Sequence, residues 1–193
     1  MSADQQTPES TESPESIESI APDTKDWTWV LARPCPECGL DASTIEVSDI
    51  GALVRASVPR WSAALERPDA AVRPDPATWS TLEYGAHVRD VFGVFTTRLD
   101  LMLTQENPVF ANWDQDAAAL AGRYSELESA VVAGELAAAA AVIADRFDAV
   151  PAPARDRRGL RSNGSAFTVT TLAQYFWHDV AHHLNDVGAD SLG

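Results

Sequence analysis

The sequence predicts an all-α protein built on a four-helix bundle, and three observations carry that expectation. Long segments place apolar residues at helical spacing. Nowhere does a Val/Ile/Thr alternation run between turn signals, so a sheet has little support. Proline- and glycine-bearing breaks divide the body into four main helical stretches, the number a simple bundle needs. At 193 residues the chain suits one domain and a tail, and its 45% hydrophobic and 22% charged residues are those of a globular chain.

Taken in order, residues 1–24 read as a disordered acidic tail, and 25–193 as the helical domain. The tail holds Asp4, Glu9, Glu12, Glu15, Glu18 and Asp23, no basic residue, and prolines at 8, 14 and 22. Its few apolar groups cannot offset an ordering cost of roughly 1–2 kcal/mol per residue. An irregular 25–40 segment follows. The first helix is expected up to about Glu66, carrying Ile45, Ile50, Leu53, Val54, Val58, Trp61 and Leu65, with Ser43 and Glu46 as a capping box and Pro59 as a kink. Residues 67–76 hold three prolines and must be a loop. The second helix, about 78–104, sets Tyr84, Val88, Val91, Phe95, Leu99 and Met102 in one stripe. Residues 116–149 form one long helix interrupted near Gly134, or two shorter ones. Pro151 and Pro153 stop this segment, the arginine-rich loop 155–164 follows, and a last helix runs from Thr168 to Val187 before Gly188.

Charge and cysteine usage narrow the function classes. A formal charge of −15 repels phosphate backbones and anionic lipid at long range, which argues against a general grip on nucleic acid or membrane. The longest apolar run, Leu136 to Ala144, falls far short of the ~20 residues of a spanning helix. No basic and apolar leader pattern opens the chain, and two cysteines make no disulfide framework, so a reducing cytoplasm is the expected address.

Three of the four histidines fall in Trp177-His178-Asp179-Val180-Ala181-His182-His183. His178 and His182 are four apart, so a helix projects both imidazoles from one face, about 6 Å apart at Cβ. The fourth, His87, lies in the second helix, which a bundle can bring beside the last one. Three histidines with an open position would suit a hydrolytic or Lewis-acid zinc ion, or nickel or iron. Asp179 and His183 form a rival pair with the same spacing, and solvated histidines without metal are a third reading. The helical wheel places His183 within the apolar arc of the last helix, as a core or interface residue, and sets His178 and His182 to one side.

The run Leu82-Glu83-Tyr84-Gly85-Ala86-His87-Val88-Arg89-Asp90 and the closing His178-Asp179-Val180-Ala181-His182-His183 resemble the DinB/YfiT-like metalloenzymes. Trp27-Thr28-Trp29-Val30-Leu31 with Cys35-Pro36-Glu37-Cys38, and Phe110-Ala111-Asn112-Trp113-Asp114-Gln115-Asp116, look like the actinobacterial branch related to mycothiol-dependent maleylpyruvate isomerases. The likeness covers about residues 26–188. It implies a DinB-like four-helix bundle holding a divalent metal, zinc before nickel or iron, on one histidine of the second helix and a His-x-x-x-His pair of the last. Those positions are His87, His178 and His182; some members carry a glutamate where this chain has His178. The resemblance further implies transfer or isomerisation chemistry on a small molecule with mycothiol or a similar low-molecular-weight thiol. A non-catalytic metal-binding or stress-related module is the alternative, and a homodimer is compatible with either.

Three further features bear on such a site. Cys35-Pro36-Glu37-Cys38 could be half of a zinc knuckle, but a second ligand pair is needed and none is available; one cysteine could instead close the histidine site as a fourth ligand. Arg155, Arg157, Arg158 and Arg161 could hold a substrate carboxylate or simply face solvent. Tyr84, Asp114 and Asp116 are possible partners for imidazole N–H groups.

Overall fold

In the computed structural model, Ile20 and residues 26–189 are described; apart from Ile20, the acidic segment 1–24 lies outside them. Five helices account for most of the fold: α1 (Ile50–Leu65), α2 (Thr81–Thr104), the short α3 (Gln115–Ala121), α4 (Ser129–Asp148) and α5 (Val169–Asp186). Helices α1, α2, α4 and α5 form the four-helix bundle, with α4 packed along α1 and α2, and α5 against both α1 and α2. Trp61, Phe92, Leu99, Leu136, Phe147 and Phe176 interlock in its interior, each at most 1% exposed. Phe176 lies at the centre, with ring centroids 5.9, 5.3 and 5.4 Å from Phe92, Phe95 and Phe147. No helix of the described residues is long and apolar enough to cross a membrane.

The start of the first helix differs from expectation. The Asp41 carboxylate accepts hydrogen bonds from the Ser43 N–H at 3.1 Å and the Ser43 hydroxyl at 2.6 Å, and so takes the N–H that Glu46 would meet in a Ser43 capping box. Two 3-10 turns, Ala42–Thr44 and Val47–Asp49, fill the space before α1 begins at Ile50. The capping box forms one helix later. At the start of α2, Ser80 N–H donates to Glu83 at 2.8 Å and Glu83 N–H donates to the Ser80 hydroxyl at 3.3 Å.

The 116–149 segment is two helices, and its break falls at 122–128 while Gly134 lies within α4. Tyr124 causes the break: it is 1% exposed, packs near Leu65, Leu82 and Val132, and donates its hydroxyl to Asp90 at 2.5 Å. A small sheet also forms, against the expectation from periodicity. It comprises β1 (Val109–Phe110), β2 (Arg158–Arg161) and β3 (Ala166–Thr168), in that order, with β1 parallel and β3 antiparallel to β2. Strands of two to four residues show no measurable alternation, so the arginine-rich segment read as a loop. Gly159 lets β2 approach the bundle; an added Cβ would stand 2.8 Å from Phe110 and 2.9 Å from Met102.

Candidate metal centre

Helix α5 carries His178, Asp179, His182 and His183, two i,i+4 pairs offset by one residue. At about 100° per residue the pairs project from adjacent faces of the same two turns, so each meets a different neighbour. Asp179 and His183 turn toward α2 and its His87. His178 and His182 turn toward the 26–49 segment and its Cys35 and Cys38. Potential ligand atoms accordingly gather in two groups among the described residues: His87, Asp179 and His183 in one, Cys35, Cys38, His178 and His182 in the other. Within each group the atoms lie no more than 4.8 Å apart. The three histidines expected to act together are thus divided: His87 stands with the rival pair, and His178 and His182 stand with the cysteines.

In the first group, Asp179 Oδ1 lies 3.3 Å from His87 Nε2 and 3.7 Å from His183 Nε2. Zinc bonds near 2.1 Å at a tetrahedral angle require nitrogen–oxygen edges of about 3.4 Å, so one ion fits. His183 Nδ1 faces Asp186 Oδ2 at 2.8 Å, which reserves its Nε2 for a ligand. His87 is completely buried, and its Nδ1 has no hydrogen-bond partner. Burial pulls the His87 pKa down, against the opposing pull of Asp179, and so favours the neutral imidazole that metals bind. Burial alone would raise Asp179, but the His87 hydrogen bond and the neighbouring imidazoles outweigh it and hold the carboxyl below its usual range. Aromatic rings enclose the group: Trp113 stacks on His87 at 5.3 Å, Trp79 is 5.4 Å from the same ring, and Tyr84 is 4.9 Å from His183.

In the second group, Cys35 Sγ is 3.7 Å from His182 Nδ1 and Cys38 Sγ is 3.8 Å from His178 Nε2. His178 and His182, which the helical wheel set to one side of the apolar arc, are 4% and 6% exposed. The reason is the 26–49 segment, which covers this face. Its Trp27 ring rests 5.9 Å from His178 and 5.1 Å from His182. Burial, and then the adjacent His182, push His178 down to about 4. Burial pushes the Cys38 thiol up to about 11.

A cleft of about 60 Å³ runs between the groups, lined by residues of both, including Asp179, His183, His178 and His182, and by Trp27, Gln115 and Tyr175. Of the loop arginines, Arg157 donates to the Met102 and Gln105 carbonyls at the end of α2, both at 2.5 Å, and Arg158 faces solvent. Arg161 is 8% exposed and lies 5.7 Å from the Tyr175 ring. Arg98, which periodicity did not single out, is 6% exposed beside it, donates to the Ala111 carbonyl and lies over the Phe95 and Phe110 rings. Burial and the neighbouring Arg161 pull the Arg98 pKa down to about 10. Asp114 caps α3 and does not serve an imidazole.

The sequence held a signal for the cysteine group: Cys-x2-Cys followed by His-x3-His is the ligand spacing of Cys₂His₂ sites. Assigning both histidines to His87 hid the second half.

Fold and ligand geometry define this chain as a helical bundle able to hold divalent metal on its second and last long helices. The family model of the DinB superfamily matches residues 52–187, and the chain belongs to that superfamily. Among solved structures it is similar to one described as "YfiT from Bacillus subtilis is a probable metal-dependent hydrolase with an unusual four-helix bundle topology". That match has a TM-score of 0.66 and 15% sequence identity, and covers 76% of this chain and 88% of the other. No curated protein sequence matches the chain.

Proposed function

We propose that the chain is a divalent-metal-dependent enzyme whose ion is held by His87, Asp179 and His183. The observation that carries this reading is the triad itself. Three protein ligands converge where a tetrahedral ion needs four, and a cleft reaches Asp179 and His183. When bound, such an ion supplies a Lewis acid that ionises a small nucleophile at neutral pH. The protein's own residues do the rest. Asp186 orients His183, the rings of Trp79 and Trp113 exclude water from His87, and Tyr175 lines the cleft. Arg98 and Arg161, buried together and hydrogen-bonded to the Ala111 carbonyl, Asn163 and Ser165, provide a seat beside Tyr175 for an anionic group of a small-molecule substrate.

The finer reading is that the nucleophile is a low-molecular-weight thiol, mycothiol or a similar one, in transfer or isomerisation chemistry. The description of the YfiT structure supports water as nucleophile instead. One experiment separates the two. The metal-loaded chain is titrated with such thiols, with and without chelator, alongside His87→Ala. Binding that disappears with chelator and in the variant supports the thiol reading. Unchanged binding in both overturns it, and ester or amide hydrolysis lost with His87→Ala would assign water.

The cysteine group supports a second, non-catalytic reading for itself alone, because four protein ligands leave no position for a substrate.

A further inference from the structure

We infer that Cys35, Cys38, His178 and His182 form a second metal site, a closed tetrahedral zinc site that staples the 26–49 segment onto α5. Its ligands are separate from the triad, so it stands whether or not the proposed enzyme reading holds.

The geometry is that of a tetrahedral centre. Zn–S bonds near 2.3 Å and Zn–N bonds near 2.1 Å put sulfur–nitrogen edges at about 3.6 Å. The two edges given by facing partners are 3.7 and 3.8 Å, and all four atoms fall within 4.8 Å of one another. The backbone around the cysteines is already shaped for this. Cys35 N–H donates to the Leu40 carbonyl at 2.9 Å and Gly39 N–H donates to the Cys35 carbonyl at 2.8 Å, closing a tight turn. Gly39 permits that turn with φ +75. A carboxylate completes the histidine side: with Nδ1 of His182 facing the sulfur, Nε2 faces Glu37 at 3.4 Å, inside the Cys-x2-Cys turn itself. Two soft thiolates and two imidazoles in this geometry select zinc over magnesium or calcium. Binding exchanges two thiol protons for one ion, the protons passing to solvent.

The segment gives the site its purpose. Residues 26–49 contain only short 3-10 turns, which have little intrinsic persistence, yet Trp27 must lie on His178 and His182 to wall the cleft. A four-ligand ion supplies a fixed cross-link between this segment and the bundle.

Cobalt is the probe. Added to the apo full chain, it should give intense tetrahedral visible bands and a near-ultraviolet thiolate charge-transfer band, at two metal equivalents per chain in total. Cys35→Ser with Cys38→Ser should lose the charge-transfer band and one equivalent; His87→Ala should lose the other equivalent and keep the band. Circular dichroism checks that each variant is folded, and the wild-type spectrum decides the matter if a variant is not. A wild-type chain without the thiolate band overturns the inference, as does a band that survives in the folded double variant. Loss of the band only with His87→Ala would overturn it too.

Discussion

Asp186 offers the sharpest probe of the triad, because its carboxylate stands one hydrogen bond away from His183. A negative charge in the last turn of α5 opposes the helix dipole, so its removal should leave the helix no less stable. Its visible service is to His183, whose Nδ1 it meets at 2.8 Å. Contact with His182 Nε2 is longer, 3.8 Å, and Glu37 attends that ring from 3.4 Å. Losing an outer carboxylate of this kind weakens metal affinity about 10- to 100-fold, or about 1.4–2.7 kcal/mol. Asp186→Ala should therefore weaken one of the two metal equivalents by that factor and leave the other close to wild type. Asp186→Asn, which keeps an acceptor oxygen, should lose less. Competition against a chromophoric chelator reads both affinities. Equal affinity in Asp186→Ala and wild type would refute His183 Nε2 as a ligand, and with it the triad.

Two stability predictions follow from packing and charge. Glu83→Ala removes the capping box of α2 and leaves Arg73 without the carboxylate it pairs with; because Arg73 is 26% exposed, a loss of about 2–4 kcal/mol is expected in denaturant unfolding at neutral pH. The difference from wild type should shrink in acid. Burial alone would raise Glu83, but Arg73 and Ser80 outweigh it and hold its folded pKa below the ordinary glutamate value, so its stabilisation is present above that value and disappears as pH falls through the folded pKa. Gly159→Ala forces a methyl against Phe110 and Met102 and should cost about 1–3 kcal/mol, at roughly 2–4 °C of Tm for each; an unchanged Tm would mean that β2 does not press on α2 as described.

The bundle was legible because α2, α4 and α5 are long enough for a 3.6-residue pattern to repeat, and because prolines and glycines mark the breaks between them; the Ser80 cap of α2 went unread. Short elements were not: the sheet strands carry too few residues for any period to emerge. All the ligands of the triad were in view as His87 and the Asp179/His183 pair, but their grouping depends on how α5 is rotated about its axis. A helical wheel finds the apolar arc but does not say what covers the faces beside it. Here the 26–49 segment, too irregular to be recognised as a packing partner, covers that outer face and buries His178 and His182. Arg98 escaped notice for a related reason, since a lone arginine on an amphipathic helix reads as surface until a neighbouring strand covers it.

The two ligand pairs of α5 are interleaved, and that ties the centres together mechanically. A rigid helix has a single azimuth, so a rotation that draws Asp179 and His183 nearer His87 swings His178 and His182 away from the cysteines. Axial sliding is shared in the same way, at about 1.5 Å per residue. The zinc staple would therefore act as an index pin, setting the rotational phase at which Asp179 and His183 meet His87. Single-residue insertions or deletions between Asp179 and His182 would change the spacing of both ligand pairs at once, while the same changes beyond Gly188 would alter neither spacing.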